Sequence, residues 1–499
     1  MAKMSLILNM TPNWMISMRD YKLFFALIMF LPAAFLSACS TNPATGQQQF
    51  TALMSPQQET QVGASEHEKI VKQFGLYQNP AVNAYVNEVG KRVTANTERP
   101  DVKYTFYILD SPIVNAFALP GGYIYVSRGL LALANSEAEL AAVLSHEAGH
   151  ITGRHSAERY SRGVVTSLGA GILSAVLDSS GATQALGVGA NLYLSSYSRG
   201  QESEADSLGL RYMTRGGYDA QAMPSFLSSL HRQSELEARL AGREASAGMG
   251  YFSTHPATAD RVAQTRGQTG AYPKGGQVNH DRHLKTIDGM TYGDSETQGF
   301  ARGQNFYHPG IGFTFSVPEG FNITNQPSQV TATSRSGGII IFDMAPDTQG
   351  FNPAAYVKNW VKDKPLQGLE AITVNGKPGA TASFTGNVNG KAMTIRLVAI
   401  KYGNKFARFQ MAFPQGAPAS LVEGLKKTTY SFRSMSAAEK QSLRPYRIAV
   451  FAARAGDTVA SIARWQPFTQ LQEEHFRILN GLGPNEGLKA GRLYKKVVE

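Results

Sequence analysis

Two histidines four residues apart, the first followed at once by a glutamate, constrain this chain more than any other feature. They stand in Ser145-His146-Glu147-Ala148-Gly149-His150, inside a pattern from Ser136 to about His155 with apolar residues at Leu140, Val143, Leu144 and Ile151. Such spacing predicts a helix, and Ser136 with Glu139 has the separation of a capping box at its start. Residues four apart share a helical face, so His146 and His150 can set two imidazoles on one cation. Glu147, one step round, reaches a water on that cation without being a ligand itself.

Two histidines leave such a site incomplete, because a catalytic zinc needs a third protein ligand and an open position for water. A metzincin would supply a glycine and then a third histidine at position 156. Gly153 fits, but position 156 is Ser156 and the histidine falls one residue early, at His155. One residue on a helix is about 100°, so His155 is expected to point elsewhere. A better completion is Tyr197-Ser198-Arg199-Gly200-Gln201-Glu202-Ser203-Glu204-Ala205-Asp206, in a second helical pattern running to about Arg215. Glu202 and Asp206 are four apart. One can bind the metal while the other, a turn away, accepts the outward N–H of a ligating histidine.

Residues 56–74 and 81–96 read as amphipathic helices. Between 103 and 127 the period changes to two, which predicts strands joined through Asn115-Ala116-Phe117-Ala118-Leu119-Pro120-Gly121-Gly122. The run Gly122, Tyr123, Ile124 and Tyr125 is either an internal hairpin strand or an exposed edge that holds a peptide as an added strand.

With Ser253-Thr254-His255-Pro256 and Arg261 added, these pieces resemble the gluzincin metallopeptidases of the HtpX, BepA and Ste type, over roughly residues 45–270. The resemblance implies one Zn2+ per chain on His146, His150 and Glu202, with Asp206 as the supporting carboxylate. Glu147 is then the general base of peptide hydrolysis. His255 either stabilises the transition-state oxyanion or fills the open zinc position. Without membrane helices, the chain is closer to the periplasmic BepA- and LoiP-like members.

The single cysteine, Cys39, excludes an internal disulfide. Arg19 and Lys22 precede the apolar run 23–35, and Leu36-Ser37-Ala38-Cys39 follows it. That order predicts a secretory signal over residues 1–38, and Leu-Ser-Ala-Cys resembles a lipobox in which Cys39 is lipidated. The expected location is the periplasm, anchored to a membrane, with the outer membrane favoured. Formal charge is 48 − 37 = +11, spread thinly with no basic block, so nucleic acid is not an expected partner.

The fold class expected is multidomain α+β. A tether, 39–55, leads to a mainly helical zincin-type peptidase domain with a small sheet, 56–263. A linker, 264–304, follows, in which His280 and His283 read as a solvated polar pair. Residues 305–440 alternate with turns at Asn375-Gly376 and Asn389-Gly390, which predicts an antiparallel-sheet domain, faintly similar to PsbP-like modules. Residues 445–499 resemble a LysM βααβ module, which implies peptidoglycan binding by 447–499. Misfolded or misassembled envelope proteins are the expected substrates. The rival expectation is a lipoprotein chaperone or cell-wall scaffold with a mostly closed metal site.

Overall fold

The computed structural model describes residues 39–176, 196–241, 250–256, 259–362, 364–388 and 390–499. The expected signal peptide lies outside the described residues, as does the side chain of Cys39.

Local chemistry sets the helix starts. Ser55 and Ser198 each accept the N–H three residues on, and Gln58 and Gln201 reach back to the caps. The motif helix, Glu137–Thr152, starts at Ser136, whose hydroxyl accepts from the Glu139 N–H at 3.1 Å. Glu139 does not close the expected box; its carboxylate accepts from Asn135 N at 2.7 Å, one residue further back. Every residue of this helix is buried. It runs through the core, where Leu140 and Leu144 each contribute about 1.5–3 kcal/mol by leaving water.

A three-stranded sheet lies beside it. Thr105–Leu109 runs parallel to Tyr123–Ser127, which pairs antiparallel with Ala116–Leu119 on its other side. This corrects the expected edge. Tyr123, Ile124 and Tyr125 are bonded on both sides, and Gly122 (φ +101°) sits in the turn before them. The chain passes from the first strand to the far edge and doubles back into the middle, so Thr105–Leu109 and Ala116–Leu119 are the outer strands.

The segment expected as a tether is folded. Cys39–Thr41 pairs with Gln48–Phe50, and the Gln49 amide donates to Gly153 O at 2.7 Å. The expected linker is folded too, with a helix His280–Ile287 and a strand Phe300–Arg302 that pairs with Asn305–His308. His280 and His283 are not a solvated pair. His283 is fully buried, with Nδ1 3.0 Å from the Tyr85 hydroxyl and Nε2 3.2 Å from Leu131 O. His280 spans Asn135 O at 2.7 Å and Leu493 O at 3.0 Å. Helix Arg128–Leu133 thus meets the His283 ring through Leu131, and strand Leu493–Val498 meets the His280 ring through Leu493.

The middle region holds a seven-stranded antiparallel sheet. In spatial order its strands are Phe321–Asn325, Val330–Ser334, Ile339–Pro346, Lys405–Pro414, Lys391–Tyr402, Lys377–Val388 and Gln367–Val374. A phenylalanine-rich core fills one face, including Phe313, Phe315, Phe342, Phe409 and Phe432. Helix Pro353–Val361 covers the other through Val357. The Asn375-Gly376 turn has φ of +48° and +75°, as an Asn-Gly hairpin requires.

Residues 446–498 follow the order strand, helix, helix, strand. Tyr446–Ala452 pairs with Leu493–Val498 and also with Thr291–Tyr292. Ile448, Ile478, Leu479 and Val497 belong to the same core as the motif helix. Lys495, fully buried, caps helix Arg128–Leu133 by donating to the carbonyls of Ala132 (2.7 Å), Leu133 (3.3 Å) and Ala134 (2.6 Å). This part is therefore packed into the core around the motif helix.

Candidate metal centre

Helix periodicity puts His146 and His150 on one face, and helix Arg199–Arg215 crosses that face. Gly149 and Gly209 make the crossing close: a Cβ at Gly209 would stand 3.1 Å from the His146 backbone. Glu202 and Asp206 consequently face the histidines. His146 Nε2 and His150 Nε2 lie 3.1 Å apart, and Glu202 Oε1 is 3.4 Å from His150 Nε2. The second Glu202 oxygen turns away, 2.6 Å from Arg261 Nη1. Asp206 Oδ1 lies 2.9 Å from His146 Nδ1, the nitrogen facing away from the cluster, and both its oxygens accept from Arg261 at 2.8 Å.

His255 enters from the other side. Its Nδ1 is 3.0 Å from Glu202 Oε1 and 3.3 Å from His146 Nε2, which makes it a fourth donor of the cluster. One donor atom from each of His146, His150, Glu202 and His255 lies within 4.8 Å of every other, and all four residues are buried. Two aromatic rings hold the imidazoles: Tyr197 stacks on His150 at 3.7 Å and Tyr251 on His255 at 4.4 Å. Glu147 stands beside the cluster, its Oε1 3.5 Å from His255 Nε2. Both Glu147 oxygens are buried without a hydrogen-bond partner among the described residues.

The electrostatics suit a cation. Burial holds the His150 imidazole well below its usual value, hence neutral with a lone pair to give. Burial alone would raise Glu202, but His255 and His150 outweigh it and keep its carboxyl well below the carboxylate range. Burial also works against ionised Asp206, and Arg261 with His146 wins, so it too stays low. Glu147 goes the other way: burial pushes it up, past the opposing pull of His255 and His146. Imidazole nitrogens and one carboxylate oxygen are a donor set that fits zinc.

Of the residues predicted from sequence, His146, Glu147, His150, Glu202, Asp206 and His255 come together. Gly122, Tyr123, Ile124 and Tyr125 do not form the edge beside them. Arg261 clamps both carboxylates, and Tyr197 and Tyr251 stack on the imidazoles, roles that no spacing in the sequence discloses. Each stood inside or next to a quoted motif; only burial shows its use.

A buried histidine pair on one helix, met by a glutamate from a second, defines the gluzincin class of metallopeptidase site. Residues 80–269 match the model of Peptidase family M48, so the chain carries an M48 metallopeptidase domain, and M48 peptidases depend on zinc. Over 219 residues the chain is 32% identical to a putative beta-barrel assembly-enhancing protease of Vibrio cholerae, covering 41% of this chain and 43% of that one. It is 29% identical over 242 residues to the beta-barrel assembly-enhancing protease of Escherichia coli, covering 47% and 48%. The mitochondrial metalloendopeptidase OMA1 of Schizosaccharomyces pombe is 30% identical over 207 residues, covering 41% and 59%. The chain thus spans less than half the length of these two bacterial relatives.

Proposed function

We propose that this chain is a zinc-dependent endopeptidase of the bacterial envelope that cleaves misfolded or misassembled envelope proteins. One observation carries the reading: His146, His150 and Glu202 converge on a single point with the unpartnered Glu147 carboxylate beside it. Zinc at that point would supply a Lewis acid that acidifies water and polarises a peptide carbonyl. Glu147 takes the proton of the attacking water and returns it to the leaving amine; its raised pKa suits a group that must both accept and give. Asp206 holds the His146 ring, and Arg261 holds Asp206 and Glu202. Ala116–Leu119, an outer strand of the small sheet, packs beside the motif helix, so a peptide added to that strand would run past the helix.

The envelope substrates are carried over from the names of the bacterial relatives, and a lipid at Cys39 would anchor the chain to a membrane. Among the described residues no helix is long and apolar enough to cross a membrane. Peptidoglycan binding by residues 447–499 is supported by their strand-helix-helix-strand order alone.

His255 supports a second reading, in which a four-donor site is closed and the protein acts as a chaperone or scaffold. Zinc content and casein cleavage, compared between wild type and Glu147→Gln, separate the two. A peptidase keeps one zinc in both proteins and loses about 10²–10⁴-fold in rate in the variant. Zinc present with equal cleavage in both would sink Glu147 as the base.

A further inference from the structure

A histidine that ligates through one ring nitrogen usually donates its other N–H to an acceptor that fixes the ring. His146 has Asp206 for this. His150 Nδ1 faces away from Asp206 and meets another histidine: His155 Nδ1, 2.8 Å off, with both rings buried. His155 Nε2 in turn faces Glu204 Oε2 at 3.6 Å, close enough for electrostatic contact and too long for a direct hydrogen bond.

This contact needs a backbone reversal that helical spacing cannot supply. The motif helix stops at Gly153, and Arg154 takes φ +50° before a new helix starts at His155. The reversal is held from far upstream. Arg154 donates to Glu59 Oε1 (2.8 Å), Thr51 Oγ1 (3.0 Å) and Met54 O (2.6 Å), and Gln49 donates to Gly153 O (2.7 Å). Gly153 is equally committed, because a Cβ there would stand 2.4 Å from His155 Nε2.

The proton count runs one way. A neutral His150 that presents its Nε2 lone pair to a cation carries its proton on Nδ1. Its partner, His155 Nδ1, must then be a lone pair, which leaves the His155 proton on Nε2, on the side of Glu204. The opposite arrangement would put a proton on His150 Nε2 and bar it from ligation.

We propose that His155, backed by Glu204, is the positioning residue of His150, as Asp206 is of His146. The proposal rests on the reading that His146 and His150 hold zinc. It is tested on the full chain by zinc affinity against a competing chelator in wild type, His150→Ala, His155→Phe, His155→Gln and Glu204→Gln. His155→Phe keeps the ring volume without an acceptor and should weaken zinc about 10–100-fold, the usual cost of losing such a partner. His155→Gln offers an oxygen to His150 and an amide to Glu204, and should restore most of that loss. A merely structural role for His155 would not distinguish the two. Zinc affinity unchanged in His150→Ala would overturn the zinc reading and the relay with it. Affinity lost in His150→Ala but kept in His155→Phe would overturn the relay alone. If His155→Phe does not fold, Glu204→Gln decides: weaker zinc supports the relay, unchanged zinc removes it.

Discussion

Gly149 and Ala205 lie so close that a Cβ on Gly149 would stand 2.9 Å from the Ala205 carbonyl oxygen. The obstacle is backbone, which has no rotamer to escape into. Gly149→Ala must therefore push helix Arg199–Arg215 off the motif helix, carrying Glu202 from the two histidines. The expected result is a loss of about 1–3 kcal/mol in stability and weaker zinc binding. Denaturant titration with a zinc count checks both, and wild-type affinity in the variant would show that the crossing does not set the site.

Arg261 joins Glu202 to Asp206 inside the protein, with only 6% of its side chain exposed. Arg261→Gln leaves two buried carboxylates without their shared cation, so a loss of about 3–5 kcal/mol is expected in metal-free protein. Zinc, itself a cation, should restore part of that loss. Thermal melts with and without zinc measure the difference, and a zinc-induced rise no larger than in wild type would contradict this.

His255→Ala separates the two roles of that imidazole. If the ring fills the open zinc position, the variant keeps one zinc per chain and cleaves casein faster than wild type. If the ring stabilises the oxyanion, cleavage falls by about 10²–10³-fold. Zinc content and initial rates, taken together, tell these apart.

Burial pushes His283 down to about 3. Its folded value is thus below the unfolded value of about 6.5, so its contribution is complete above pH 6.5. It is lost as pH falls toward 3, with a slope of at most about 1.4 kcal/mol per pH unit. His308 and His475, both pushed down to about 4 by burial, add to the slope over part of that window. Unfolding free energies of wild type and His283→Phe at pH 6.5, 5 and 4 isolate the His283 share. Equal slopes in the two proteins would refute it.

What the sequence discloses is what short-range periodicity can carry. His146, His150, Glu202 and Asp206 were legible because four-residue spacing on a helix settles which side chains share a face. The spacing that turns His155 away from the metal position does not disclose its contact with His150, because that contact depends on the turn at Arg154, which Thr51, Met54 and Glu59 hold from about a hundred residues away. His280 and His283 looked solvated beside Asp281 and Arg282. Their cover comes in part from Leu493–Val498, which no local window contains. Alternation locates the strands Thr105–Leu109 and Tyr123–Ser127 but not the order in which they pair, since strand order is a property of the path between strands.

The capping of helix Arg128–Leu133 by Lys495 joins residues 363 positions apart. A chain that leaves the ribosome or crosses a membrane from its N-terminus presents the motif helix long before the lysine that closes the core beside it. The Lys495 contacts can form only once Leu493–Val498 has arrived. A chain cut short before Tyr446 should carry every metal-binding side chain and still be digested by added protease far faster than the full chain. Timed proteolysis of the two lengths would reveal whether the site is assembled in order of synthesis or only at its end.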